Sequence, residues 1–190
     1  MEAMNERTID KLFFIDAETD GLYGPFLSAA VIITDMNCNV IERAYYGVNV
    51  KNLSIIEAWT KDNVIPVLGQ YTECENECEL LEQIWKLWES MNGKAYAVGD
   101  VIYPVEVRLF QKCIEKNLTE RCAQGPFPFL DISSMKYCKE IDPIAYIEDE
   151  RFVHLNADTV INNKSQSVHN ALYDVEVMIA EYKLLKGELK

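Results

Sequence analysis

The sequence predicts an α/β fold in which helices cover a mixed five-stranded sheet. Short runs rich in Val, Ile, Phe and Ala indicate strands, which fall at residues 11–16, 28–34, 40–48, 94–99 and 127–132. Apolar side chains repeated every three and four positions indicate helices, which fall at residues 79–91, 104–114 and 171–186. Three strands in succession, then helices alternating with two more strands, predict one mixed sheet.

Turn signals separate the first three predicted strands. Residues 11–16 are an apolar run that ends in the carboxylate of Asp16, as expected of a buried strand that reaches the edge of a site. The sequence Asp-Gly-Leu-Tyr-Gly-Pro at residues 20–25 indicates a turn before the second strand. Residues 35–39, Asp-Met-Asn-Cys-Asn, indicate a hairpin before the third. The chain therefore opens with a strand meander.

The later elements have start or stop signals of their own. Gly93 ends the first helix, whose apolar face is Leu80, Leu81, Ile84, Trp85, Leu87 and Trp88. The next strand again ends in a carboxylate, Asp100, and Pro104 suits the first position of the helix that follows. Gly187 ends the last helix, whose apolar face is Ala171, Val175, Met178, Tyr182 and Leu185. Residues 133–167 show no sustained period, which predicts loop and short helix.

Length and composition predict a single domain over residues 1–190, with its core at about residues 11–186. The chain is long enough to bury a full core, and 49% of its residues are hydrophobic. Residues 1–12 are polar, and no apolar run approaches membrane-spanning length, which predicts a cytoplasmic protein. The six cysteines show no paired spacing, so reduced thiols are expected rather than disulfides or a zinc site.

The net charge of −13 argues against broad electrostatic binding of a polyanion. Nonspecific binding of phosphates requires a positive face, which this composition does not favour. A divalent-metal site, however, requires clustered carboxylates, and the bound cations reverse the local sign of the charge. The composition therefore favours short or single-stranded nucleic acid over long duplexes if the protein binds nucleic acid at all.

Asp16 and Glu18 form an acidic pair at the end of the first strand. Because side chains alternate along a strand, two carboxylates two residues apart lie on the same face of the sheet. Carboxylates held close together repel one another unless a cation lies between them. The pair is therefore a candidate metal site, and the alternative for this pair alone is a solvated strand end.

The residues around this pair resemble the first motif of the DEDDh 3′-to-5′ exonuclease family. The segment Phe-Phe-Ile-Asp-Ala-Glu-Thr-Asp-Gly-Leu at residues 13–22 contains the apolar strand and the Asp-x-Glu-Thr-x-Gly-Leu motif without a gap. The family includes the proofreading subunit of a bacterial replicative polymerase, oligoribonuclease and ribonuclease T. The resemblance implies a ribonuclease H-like fold and extends from about residue 12 to residue 185.

A second motif of the family is a histidine followed five residues later by an aspartate, and His169 and Asp174 match it. Five residues of helix rotate by about 500°, so the two side chains would not share a helical face. We therefore expect His169 on the loop before the last helix and Asp174 in its first turn. The other histidine, His154, matches no position of the family and is interpreted as structural or incidental.

The middle motif departs from the family pattern, in which a strand is followed by His-Asn and then by Phe-Asp at the start of a helix. The chain reads Val-Gly-Asp-Val-Ile-Tyr-Pro-Val-Glu at residues 98–106. Alignment on the strand end makes Asp100 the third acid, whereas alignment on the helix makes it Glu106. We favour Asp100, because the family's Asp is seldom replaced by the longer Glu. Glu106 would then be an ordinary acidic residue in the first turn of a helix.

The resemblance implies a metal-dependent exonuclease with a catalytic set of Asp16, Glu18, Asp100, His169 and Asp174. The four acids, or Glu106 in place of Asp100, would hold two Mg²⁺ or Mn²⁺ ions, which activate water and stabilise the leaving 3′ oxygen. His169 would accept the proton of the water, and nucleoside 5′-monophosphates would be released.

The resemblance also implies contacts to a single-stranded or short nucleic acid partner. The residues expected near the terminal nucleotide are Thr19, Gly21, Leu22 and Tyr23. Tyr23 and Phe26 are candidates for stacking on bases, with core packing as the alternative. The family also implies a possible homodimer. Two other functions remain open: an inactive nucleic-acid-binding or interaction domain of the same fold, and a ribonuclease H-type endonuclease.

Overall fold

The computed structural model describes residues 8–145 and 169–187, and their architecture confirms the predicted α/β class. A mixed sheet with strand order β4-β3-β2-β1-β5-β6 is covered by helices. The strands are β1 (Lys11–Thr19), β2 (Phe26–Asp35), β3 (Val40–Val48), β4 (Thr72–Cys74), β5 (Ala95–Gly99) and β6 (Phe129–Asp131). The helices are α1 (Ala58–Asn63), α2 (Glu77–Met91), α3 (Val105–Glu115), α4 (Leu118–Arg121), α5 (Ile132–Cys138) and α6 (Ala171–Leu185).

Strand β1 lies near the middle of the sheet and is buried on both faces. Phe13 and Ile15 pack into the cluster formed with α2 and α3, whereas Leu12 and Phe14 pack into the cluster formed with α6. This explains why the segment is a continuous apolar run instead of an alternating one. The predicted apolar faces of α2 and α6 supply most of the partners from the two helical layers.

The pairing of β1 leaves an open notch at its carboxyl end. It runs antiparallel to β2 along its whole length, but its parallel pairing with β5 extends only from Lys11 to Phe14. From Ile15 onward, β1 has a strand neighbour on the β2 side alone. Asp16 and Glu18 therefore lie where β1 continues past the end of β5.

The structure has a sixth strand that the sequence pattern did not predict. Strand β4 is only three residues long and pairs in parallel with β3, which is too short for a period to appear. The fifth predicted strand is also shorter than expected, because residue Ile132 already begins α5. Residues 146–168, which include His154 and much of the predicted loop, lie outside the described residues.

The cysteines and the helices were examined for disulfide bonds and for membrane-spanning length, respectively. All six cysteines are free, with Cys38, Cys74 and Cys113 buried. Among the described helices, none is both long enough and apolar enough to cross a membrane.

Candidate metal and active site

Three carboxylates from two distant parts of the chain meet at the notch beside β1. Asp16 and Glu18 extend from the same face of β1, and Asp174 lies in the first turn of α6. One carboxylate oxygen from each residue can be chosen so that all three lie within 4.8 Å of one another. The packing of α6 against β1 therefore brings together acids that are far apart in the sequence.

Burial and mutual repulsion make this cluster unfavourable when it is fully ionised. Burial raises the pKa of Asp16 well above its usual value, and Asp174 and Asp100 raise it further. The pKa of Glu18 rises to about 8 through burial and the charge of Asp16. That of Asp174 also rises to about 8, chiefly through burial and then through Glu18. Each shift shows that the carboxylate form lacks solvation and cationic partners here.

The residues present fit a divalent cation of the oxygen-binding class. Oδ2 of Asp16 is buried and accepts no hydrogen bond within the described part of the chain. A buried carboxylate oxygen without a donor is costly unless a cation binds it. All three groups are carboxylates, the ligands that Mg²⁺ and Mn²⁺ prefer.

The melting temperature of the metal-free protein is expected to fall as the pH is raised from about 5 to about 8. Glu18 and Asp174 bind protons more tightly in the folded state, since their pKa values rise from 4.5 and 3.8 to about 8. The stabilisation is complete below the unfolded pKa values and is lost as the pH passes through the folded ones. Calorimetry in chelator measures the effect, and a melting temperature that rises across this range would contradict it.

A cavity of about 460 Å³ opens beside the acidic cluster. The end of β1, the β5–α3 connection and α6 supply most of its walls. The polar residues that line it are Asp16, Glu18, Asp100, Tyr103, Glu106, His169, Asp174 and Glu181. Its apolar lining includes Leu22, Val101, Ile144, Val177 and Met178. The cavity is large enough for a nucleotide-sized group.

His169 lies on the loop immediately before α6, with its backbone in the left-handed region (φ 72°). Its backbone N–H donates to Oδ2 of Asp174 at 2.9 Å, which links the candidate base to the candidate ligand. The imidazole ring meets the indole of Trp59 edge to face, with ring centroids 4.8 Å apart. Burial lowers the pKa of His169, which favours the neutral imidazole that can accept a proton at neutral pH.

Both candidates for the middle acid line the cavity, in different surroundings. Oδ2 of Asp100 accepts a hydrogen bond from Nζ of Lys136 at 2.8 Å. Burial raises the pKa of Asp100, and Lys136 opposes that shift. Glu106 is buried and accepts a hydrogen bond from the backbone N–H of Ala17 at 3.3 Å. Burial and then Asp16 raise the pKa of Glu106 well above its usual value.

The predicted substrate-contact residues occupy the turn between β1 and β2. The hydroxyl of Thr19 donates to the Gly21 carbonyl at 2.6 Å, and the Gly21 N–H donates to the Thr60 hydroxyl at 3.1 Å. Gly21 has φ 69°, a backbone conformation that favours glycine, and a Cβ there would require the side chain of Glu57 to move. Leu22 is exposed and lines the cavity.

The two aromatic residues of this region differ in accessibility. Tyr23 is exposed, and interaction with Tyr103 of the cavity wall raises the pKa of its hydroxyl. Phe26 is fully buried beneath the guanidinium of Arg108, 4.6 Å from its ring centroid. The hypothesis that Phe26 stacks on bases is therefore wrong, because its ring belongs to the core.

Four residues of the site escaped the sequence patterns. Glu181 lies seven residues after Asp174 on the same helix, a spacing that places both toward one face. Lys136 and Trp59 carry no local signal, since each contacts residues distant in sequence. Asn170 is a local helix cap, but its bonds to residues 67 and 68 could not be predicted from its neighbours. Asp20 shows how such contacts arise: its carboxylate accepts the N–H groups of Ile56 and Glu57 and thereby anchors the segment that leads to Trp59.

Asn170→Ala is expected to destabilise the protein by about 2–4 kcal/mol, through the loss of a helix cap and of two buried hydrogen bonds. The Asn170 side chain accepts from Tyr173 N at 3.1 Å and donates to the carbonyls of Val67 and Leu68 at 2.8 and 3.0 Å. Urea denaturation measures the loss.

The matched control is Asn76→Ala, since Asn76 caps α2 from an exposed position with a single bond to the Glu79 N–H at 3.1 Å. We expect it to cost only about 1 kcal/mol. Equal losses for the two variants would show that the buried bonds of Asn170 contribute nothing.

The strand order and the helices that cover the sheet give an α/β fold similar to that of solved exonuclease structures. Comparison with solved structures finds Escherichia coli exonuclease I bound to single-stranded DNA with zinc, at 19% identity and a TM-score of 0.65 over 95% of this chain and 41% of that one. Exonuclease I from Methylocaldum szegediense matches at 22% identity and a TM-score of 0.64, over 94% of this chain and 40% of that one.

A complex of E. coli exonuclease I with a dA16 oligonucleotide matches at 19% identity and a TM-score of 0.63, over 94% of this chain and 41% of that one. The TM-scores show that the folds are alike, and at these identities the comparisons show the fold alone. The chain spans about two fifths of the length of the solved structures that it matches. No family model matches the sequence, and no curated protein does.

Proposed function

We propose that this chain is a metal-dependent 3′-to-5′ exonuclease of the DEDDh type that releases nucleoside 5′-monophosphates from single-stranded DNA or RNA. The observation that carries the proposal is the meeting of Asp16, Glu18 and Asp174 within 4.8 Å, in a cavity that His169 also lines. Solved structures of the same fold include complexes of exonuclease I with dA16 and dT13 oligonucleotides, which supports a single-stranded substrate.

Asp16, Glu18 and Asp174, with Asp100 or Glu106, would hold two Mg²⁺ or Mn²⁺ ions. Such ions neutralise a phosphodiester and make water a stronger nucleophile at neutral pH. The acids of this chain contribute the negative charge that selects divalent cations, and their burial excludes competing water. The cations also offset the net charge of −13 at the one place where a phosphate must approach.

His169 is proposed as the general base. Its neutral imidazole faces the same cavity as the acids, and the hydrogen bond from its backbone to Asp174 holds it beside them. The indole of Trp59 packs against the imidazole ring. A base must reach the attacking water while the acids hold the divalent ions that would bind the phosphate. The loop position of His169, beside the helix that carries Asp174, places the base next to those acids.

Leu22, Tyr23 and Tyr103 are proposed to bind the 3′-terminal nucleotides. All three are exposed, and Leu22 and Tyr103 line the cavity that contains the acids. A tyrosine ring stacks on any base, so this surface suits a substrate of varied sequence. Thr19 and Gly21 shape the turn that presents Leu22. The cytoplasmic location, the single domain and the homodimer stay predictions.

Incubation with a 5′-labelled single strand and Mn²⁺ tests the proposal. An exonuclease produces a ladder that shortens from the 3′ end, and the same assay with DNA and RNA strands identifies the substrate class. Internal cuts would indicate a ribonuclease H-type endonuclease. Absence of cleavage, with binding of the strand retained, would indicate an inactive nucleic-acid-binding domain.

A further inference from the structure

Lys136 places a buried positive charge at the wall of the proposed active site. Its side chain is 1% exposed, and Nζ donates to Oδ2 of Asp100 at 2.8 Å and to the carbonyl of Ala145 at 3.0 Å. It also forms an ion pair with Oε2 of Glu181, at 2.8 Å. Three oxygen atoms therefore surround the ammonium group. Asp100, Ala145 and Glu181 all line the cavity.

The contacts of Lys136 hold a permanent counter-ion between Asp100 and Glu181. A charge removed from water is tolerated only when it is paired and hydrogen-bonded, and Lys136 meets both conditions. Burial lowers the pKa of Lys136, but Glu181 and Asp100 outweigh that effect and raise it overall. These two acids therefore have a cation that belongs to the fold.

The other acids of the cavity lack such a cation. Within residues 8–145 and 169–187, no lysine or arginine forms an ion pair with Asp16, Glu18, Glu106 or Asp174. The notch beside β1 explains the place of Glu106. Since β5 no longer pairs with β1 beyond Phe14, the N–H of Ala17 has no strand partner on that side, and the carboxylate of Glu106 accepts it. Glu106 thus lies between Asp16 and Glu18 along the strand.

We propose, on the basis of the proposed function, that Lys136 is a positioning residue that serves as the counter-ion of Asp100 and Glu181. It thereby keeps Asp100 out of the divalent-metal site. Glu106 is then the fourth acid of that site. A divalent ion approaching Asp100 would meet the repulsion of the ammonium group, which already occupies Oδ2. The acids beside Asp16 carry no such opposing charge. This assignment reverses the choice of Asp100 that the sequence favoured.

Mn²⁺ binding by isothermal titration calorimetry on the full chain tests this division of the acids. Glu106→Gln is expected to weaken Mn²⁺ binding at least about 10-fold, whereas Asp100→Asn changes it by less than about 3-fold. Asp16→Asn is the positive control. If Lys136 instead orients Asp100 so that its unpaired Oδ1 binds the metal, Asp100→Asn will weaken binding as much as Asp16→Asn does, and the proposal is overturned.

Lys136→Met removes the charge but keeps much of the side-chain volume. In chelator we expect a lower melting temperature, because Asp100 and Glu181 lose their counter-ion. Saturating Mn²⁺ is expected to raise the melting temperature more in this variant than in the wild type, since the released Asp100 becomes available to the metal. The double variant Lys136→Met/Asp100→Asn is expected to lose that extra gain. A purely structural lysine would lower both temperatures equally, which contradicts the proposal.

The outcomes separate this inference from the proposed function. If Lys136→Met fails to fold, the comparison of Asp100→Asn with Glu106→Gln still decides. Mn²⁺ binding with the expected ranking but without cleavage would refute the exonuclease and retain the inference. Cleavage by the wild type, with Asp100→Asn weakening Mn²⁺ binding more than Glu106→Gln does, would refute the inference and retain the exonuclease. A wild-type chain that binds no Mn²⁺ would overturn both.

Discussion

Asp16→Asn is expected to reduce exonucleolytic cleavage at least about 10³-fold, since loss of one preorganised charge-stabilising group already costs roughly 10²–10³. Asp16 contributes the buried Oδ2 that accepts no hydrogen bond within the described residues, and it belongs to the cluster within 4.8 Å. An amide oxygen at this position lacks the charge that holds a divalent cation. Release of 5′-monophosphates from a labelled strand at saturating Mn²⁺ measures the loss.

The same substitution is expected to stabilise the metal-free protein, because burial and the neighbouring acids raise the pKa of Asp16 and so oppose its charged form. We therefore expect a higher melting temperature than that of the wild type at pH 7.5 in chelator, measured by calorimetry. Asp62→Asn, on the exposed surface of α1, removes the same charge and is expected to change neither property. Loss of activity together with loss of stability in Asp16→Asn would indicate a structural acid.

His169→Asn is expected to lower kcat by about 10²–10⁴ while Mn²⁺ affinity and melting temperature stay close to the wild type. Asn resembles His in tolerating the left-handed backbone, so φ 72° is retained, as is the backbone hydrogen bond to Asp174. What is lost is the imidazole nitrogen that accepts the proton. A variant with more than a tenth of wild-type kcat would show that His169 is not the base.

The pH profile of kcat gives a second measure of the role of His169. Burial lowers the pKa of His169, so the wild-type rate is expected to fall on the acid side below the ordinary histidine value of about 6.5. His169→Asn is expected to lack that limb. His169→Ala is the comparison for the backbone, because alanine is less suited to φ 72° and is expected to lower the melting temperature in addition to kcat.

Local sequence was sufficient to predict the strand that carries Asp16 and Glu18 and the loop and helix that carry His169 and Asp174. A run of apolar residues, alternation along a strand and the turn residues of residues 20–25 are short-range properties, so they can be interpreted without the rest of the chain. Strand β4 could not be predicted from the sequence, because its three residues form a strand only through pairing with β3. The sequence also left open whether Phe26 stacks on bases or packs in the core, because the residue that covers its ring, Arg108, is distant in the sequence.

By itself, therefore, the sequence determined the α/β class, the order of the main elements and the acids that approach one another from β1 and α6. Only the tertiary structure decided the surroundings of each acid: Lys136 beside Asp100 and Glu181, and Glu106 at the unpaired N–H of Ala17. The physical reason is that the charge a carboxylate can bear depends on burial and on neighbours within a few ångströms. In this chain those neighbours come from segments tens of residues away, which only folding brings together.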